Sequence, residues 1–246
     1  MAGMDRGAIG RSGWWGRVAP FLPWTDGTGR RRRGWAALLR MAPFVPLYLL
    51  ASWLLFVPNA ERTPGNYSID QDRVDRFLYH IPDLSDDFWR ALSTVATAPW
   101  LNHNLVQLVY VTILLLIFGV AFEAREGTAR TVAVFFGTAF VGAVGAGVLL
   151  HLLYPEVWDS AFTRKAWERT WSGGSAGAFG VMGAFAARAR RPWPLFALFV
   201  LWEVNVVVWY LREYTPAFHL TALVTGFLAT RYGLTPWRRV RRRGEG

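Results

Sequence analysis

Ser175 lies in TWSGGSAGAFGVMGAF (170–185), beside Gly173, Gly174 and Gly177 and ahead of Gly180 and Gly183. A serine hydroxyl becomes a nucleophile only when a base takes its proton, and neutral imidazole suits that task near pH 7. His219 opens a second small-residue stretch, HLTALVTG (219–226), with Ala222 and Gly226 on it. Small residues let two helices approach until their backbones touch. That approach would bring the Ser175 hydroxyl to the His219 ring, with no third acid needed if packing holds the ring. The plainer reading of the same pattern is a helix seam in which serine bonds its own backbone. Finding both residues at one depth, each on a small-residue helix, favours a Ser–His dyad. The chain has no cysteine, which excludes disulfides, a thiolate nucleophile and Cys-ligated metal. Its four histidines include no zinc-type pair such as HExxH. Neither a metal nor an organic cofactor is implied.

The elements that must position this pair are transmembrane helices. The 246 residues are 53% hydrophobic with 14 Trp, too apolar for an ordinary soluble domain. Several runs reach the roughly 18–20 residues that cross a hydrocarbon core as a helix. The expected fold is all-α, a polytopic six-helix membrane bundle over 35–232, with spans at 35–57, 101–122, 131–154, 173–187, 194–211 and 216–232. Pro43 and Pro46 are expected to bend the first span. A polar loop, 58–100, separates the first two spans, and within it 70–87 could lie on the outer surface as an amphipathic helix. Residues 1–34 are basic and Trp-rich, without the apolar core and cleavage site of a secretory signal, and read as an interfacial anchor that is not removed. Residues 233–246 form a basic tail.

Charge sets the orientation. Arg30 to Arg33, Arg125, Arg130, Arg188, Arg190, Arg191 and the terminal arginines share one side of the six-span arrangement, while the 58–100 loop is acidic. Basic residues near span ends collect in the cytoplasm, so a multi-pass protein of the cell membrane with both termini cytoplasmic is expected. Anionic lipid headgroups account for the net charge of +10 without nucleic acid, since no groove-reading module accompanies the arginines. With this topology Ser175 and His219 both lie just below the outer surface, within one or two helical turns of it.

Other polar residues invite roles. Glu203 and Asn205 fall inside the fifth span, where an ionisable group is a functional hypothesis by default. Glu203 reads either as a proton-relay or gating group or as a protonated acid bonded to a neighbouring helix. Glu123 with Arg125 reads as a helix-end cap or ion pair fixing the second and third spans, Arg40 as snorkelling, and His80 and His151 as interfacial.

GGSAGAFGVMGA (173–184) resembles the GxSGAxxGxxGA nucleophile motif of the rhomboid intramembrane serine proteases, and HLTALVTG is similar to the motif carrying their catalytic histidine. FWRALSTVATAPWLNHNLVQL (88–108) and GVAFEAREG (119–127) look like two further family stretches, so the likeness covers roughly 88–232 in order and spacing. The resemblance implies peptide-bond hydrolysis in or near transmembrane helices of membrane-protein substrates, with Ser175 as nucleophile and His219 as base and then acid. It implies an oxyanion hole from the Ser175 backbone N–H plus a His and an Asn spaced HxxxN on the second span. His103 and Gln107 occupy that spacing here, one turn apart on one helix face, with Gly173 and Gly174 supporting. An alternative register anchored on Glu123 puts Gln107 at the family's histidine and leaves His103 outside the hole. The sequence departs from the family at Ala176, Gln107, Thr221 and Ala222. A helix-binding relative without activity is the competing implication. Hydrolysis needs a wet cavity around Ser175, His219, His103 and Gln107.

Overall fold

The computed structural model describes residues 42–206 and 214–233. The basic segment 1–34, the start of the first span, part of the fifth and the arginine tail lie outside them. Helix α1 (Phe44–Phe56) shows what its prolines do: Pro43 precedes it and Pro46 falls in its first turn. A first-turn residue has no intrahelical acceptor for its N–H, so proline costs nothing there. The part of the first span before the two prolines lies outside the described residues, and the prolines mark the start of this helix. No neighbouring side chain caps it. The cap comes from 78–79 residues away, where Glu123 Oε1 accepts the Phe44 N–H (2.8 Å) and Oε2 the Val45 N–H (2.9 Å).

The polar connection is built of short pieces. Strands β1 (Ala60–Thr63) and β2 (Asn66–Ile69) pair antiparallel through Pro64–Gly65, where Gly65 takes φ 75°, the value a Pro-Gly turn demands of its second residue. The segment 70–87 is not one amphipathic helix. It divides into single turns at Gln71–Val74 and Asp83–Asp86 around strand β3 (Tyr79–His80). Tyr79 and Ile81 are buried there, a demand that a continuous surface helix would not meet. Helix α2 (Phe88–Thr97) follows, its first turn capped by Asp87, which accepts the Arg90 N–H at 3.0 Å.

Helix α3 (Leu105–Glu126), with a π-helical stretch at Leu115–Gly119, runs into α4 (Thr128–Leu153) across Gly127, whose φ of 90° turns the chain. Helix α5 (Ala161–Glu168) opens with a Ser160 capping box, and strand β4 (Thr170–Trp171) pairs with β3. Then come α6 (Ser175–Arg188), α7 (Pro192–Val206) and α8 (Thr215–Leu228), the last prolonged by a π turn at Ala229–Gly233. Helix thus occupies all or part of each apolar segment read from the sequence. Two helices, Leu105–Glu126 and Thr128–Leu153, are long and apolar enough to cross a membrane. By contrast α6 has 14 residues, a rise of about 21 Å against a hydrocarbon core of about 30 Å.

Helix α6 is the axis of the bundle. Its residues are buried almost without exception, and α3, α4, α7 and α8 pack around it. The outer helices turn leucines, valines and tryptophan outward, among them Leu50 and Leu54 on α1, Ile113 on α3, and Leu201 and Trp202 on α7. At one end Glu126, closing α3, accepts hydrogen bonds from Arg130 of α4 and Arg188 of α6. The opposite end carries the hairpin, the β3–β4 pair and the first residue of α6, Ser175.

Candidate functional site

Ser175 is the first residue of α6, and the three residues before it are held in place from three sides. The Gly173 N–H donates to Ala98 O at 2.9 Å. Gly173 has φ 116°, a conformation open to glycine, and a Cβ there would overlap the Gln107 amide. A Cβ at Gly174 would overlap the phenol oxygen of Tyr48, which donates to Pro99 O at 2.5 Å. The serine is therefore presented on a rigid loop at a helix N-terminus, where backbone N–H groups have no intrahelical acceptors and the helix dipole is positive. Such an end favours developing negative charge.

His219 lies in the second turn of α8 and is buried, as is Ser175. Its ring stacks on Phe179 with centroids 4.3 Å apart and planes 10° from parallel. Phe179 stands four residues after Ser175, one turn along the same face of α6. That spacing was the available signal for it, though the apolar context conceals it among ordinary core residues. Imidazole Nδ1 lies 2.5 Å from Glu203 Oε1 on α7, and the glutamate is 1% exposed. Imidazole Nε2 is buried without a hydrogen-bond partner among the described residues, so the serine hydroxyl and the ring are not hydrogen-bonded to each other. They meet instead as lining of one cavity of about 60 Å³, shared with His103, Gln107, Trp171 and Phe218, with room for a few waters.

Gln107 ties the cavity wall together. Its Oε1 accepts the His103 N–H at 2.7 Å and its Nε2 donates to Ser172 O at 3.1 Å. His103 is not on the helix: α3 begins at Leu105 behind the N-cap Asn104, whose side chain accepts the Gln107 N–H. The expectation of one turn between His103 and Gln107 on a shared helix face is thereby corrected. Asn104 takes the capping position and leaves His103 in the preceding loop, its Nδ1 3.2 Å from Gln71 Nε2. Of the two, Gln107 is the one whose side-chain donor sits against the loop entering Ser175.

The small residues serve two interfaces, not one. Gly183 and Gly226 form the α6–α8 seam: a Cβ on Gly183 would overlap Leu223 O, and one on Gly226 would overlap Gly180 O. Gly177 faces α4, where an added Cβ would sit 2.7 Å from the Phe135 ring, and Gly180 aims its missing side chain at Thr138 of α4. Ala222 and Ala176 are buried against Gly142 of α4, and Thr221 packs against Gly145. Glu123 links three helices, capping the start of α1 from α3. Besides α1 it accepts the Thr128 hydroxyl at 2.8 Å. His80 and His151 bond Glu168 O and Gly147 O, away from the cavity.

No curated protein matches the chain significantly. A family model described as the Rhomboid domain matches residues 85–235, more than half of the chain and the region from α2 through α8. The chain therefore belongs to the rhomboid family of membrane proteins, which comprises intramembrane proteases and their inactive relatives.

Proposed function

We propose that this rhomboid is an intramembrane serine endopeptidase acting on transmembrane-helix proteins. Ser175 attacks a peptide carbonyl in or beside a substrate helix, and His219 takes the hydroxyl proton and returns it to the leaving nitrogen. The observation that carries this reading is the single cavity lined by Ser175 and an imidazole whose Nε2 is unbonded. The oxyanion is received by the Ser175 N–H at the α6 N-terminus, by the Gln107 amide, and by His103 at the cavity edge. A substrate carbonyl is committed to its own helix until that helix unwinds, so glycine or proline near the scissile bond promotes cleavage. In this proposal the six apolar segments span the cell membrane with the termini cytoplasmic. The Glu126–Arg130–Arg188 end faces the cytoplasm and its anionic headgroups, and the cavity opens outward.

A second reading, an inactive relative that binds transmembrane helices, is favoured by one observation: the serine–histidine hydrogen bond is not formed. Cleavage of a single-span substrate in membranes by wild type, Ser175→Ala and His219→Ala separates the two. The protease reading expects turnover by wild type alone, together with fluorophosphonate labelling that Ser175→Ala abolishes. Equal turnover by all three removes the dyad, whereas no turnover and no labelling of wild type favour the second reading.

A further inference from the structure

We propose that Glu203 is the positioning residue of a three-member relay, Glu203–His219–Ser175, in place of a two-member dyad. The inference rests on reading Ser175 and His219 as nucleophile and base. A contact of 2.5 Å between Nδ1 and Oε1 requires a proton between two groups that are 96% and 99% shielded from solvent, given exposures of 4% and 1%. A carboxyl group is ordinarily the stronger acid of such a pair, which places the proton on Nδ1 and leaves Glu203 an acceptor. Nε2 then carries the lone pair, the tautomer that a general base needs. Phe179 clamps one face of the ring, and the Glu203 contact fixes its rotation about the remaining axis. Three helices thus hold one imidazole: α8 carries it, α6 stacks on it and α7 orients it.

The chemistry gives the carboxylate its task. As the Ser175 Oγ–C bond forms, the Oγ–H bond breaks, the proton moves to Nε2, and the carbonyl π pair goes to the substrate oxygen. The imidazolium so formed is largely shielded by the packed helices, and the Glu203 charge beside Nδ1 stabilises it. When the C–N bond breaks, the Nε2 proton passes to the departing nitrogen. The Nδ1 proton stays where it is throughout. Among the described residues the other ionisable group that faces Glu203 is the Tyr110 phenol of α3, which accepts from the Trp202 indole N–H at 3.3 Å and does not compete for His219.

The test uses the full chain in phosphatidylcholine nanodiscs, with Glu203→Gln and Glu203→Asp. Hydrolysis of a single-span substrate is followed against pH, and imidazole ¹⁵N spectra are recorded with His219→Gln to assign the signal. Loss of the third acid in soluble triads lowers kcat on the order of 10⁴-fold. Glu203→Gln should lower kcat at least about 100-fold with KM within about twofold, and Glu203→Asp should recover part of the loss. Removing a nearby carboxylate disfavours imidazolium, so the acid limb of the kcat/KM profile should move to lower pH in Glu203→Gln. Wild type should show a protonated Nδ1 whose signal changes in that variant. Wild-type kcat, an unmoved acid limb and an unchanged His219 spectrum in Glu203→Gln would overturn the relay. If wild type fails to hydrolyse substrate while the Nδ1 signal still depends on Glu203, the positioning stands and the protease reading falls. Should Glu203→Gln fail to fold, the same readouts on Glu203→Asp decide.

Discussion

Replacing Glu123 by alanine removes the acceptors for two buried backbone N–H groups nearly eighty residues away. In the native protein the carboxylate is fully buried and accepts from Phe44 N, Val45 N and the Thr128 hydroxyl at 2.8–2.9 Å. Each orphaned N–H costs about 1–3 kcal/mol when water cannot reach it. The lost side chain also returns part of the cost of burying a charge. The balance for Glu123→Ala is a destabilisation of about 2–4 kcal/mol. Glu123→Gln should be milder, because its amide oxygen still accepts one N–H while its NH₂ confronts the other donor. Unfolding in dodecylmaltoside–SDS mixtures followed by circular dichroism gives the free energies, and hydrogen exchange at residues 44–49 localises the loss. Activity should fall as well, since α1 carries Tyr48, whose hydroxyl bonds Pro99 O beside Gly174. A loss below about 1 kcal/mol, with exchange at Phe44 and Val45 unchanged, would show that the α1 N-terminus is not held from α3.

Two further outcomes follow from the site and its seam. Gln107→Leu should lower kcat by about 10²–10³ with KM little changed, the usual result of losing an oxyanion donor, whereas an unaltered kcat in steady-state assays would confine Gln107 to bracing the loop. Gly183→Val and Gly226→Val should each destabilise by more than the about 1–3 kcal/mol of ordinary overpacking, because the added atoms meet the backbone oxygens of Leu223 and Gly180. Gly177→Ala adds one methyl against the Phe135 side chain, not against backbone, and should cost less in the same unfolding assay. The double valine variant should fall short of the sum, as expected of neighbours on one seam.

What the sequence made legible was what length and periodicity control. Runs of apolar residues announced helices at α1, α3, α4, α6, α7 and α8, and glycines at 183 and 226 announced a close helix contact. Periodicity names a face but not the neighbour that covers it, which is why glycines in one stretch divide between α8, met by Gly183, and α4, met by Gly177. Segment 70–87 was illegible for a different reason. Its two-residue strand exists because Tyr79 pairs with Trp171, a contact ninety-two residues distant, and short strands take their structure from such context more than from local preference. His103 was misplaced by one rule overriding another: four-residue spacing suggested a helix face, but Asn104 is a strong N-cap and the helix starts after it.

The acidic residues carry the same lesson to the chemistry. Glu123 and Glu203 both stood out as charges inside apolar stretches, and a buried carboxylate must find donors. Sequence alone does not say which. One found two backbone N–H groups and became a long-range helix cap. The other found an imidazole nitrogen. In the proposed mechanism the difference matters, because a backbone N–H keeps its proton while a histidine exchanges one. A carboxylate bonded to the first can only hold the fold together, whereas one bonded to the second would, in the proposed relay, set which ring nitrogen carries the proton. The hydrogen bond between α7 and α8 at Glu203 and His219 is therefore where the packing of this bundle and its proposed chemistry depend on each other.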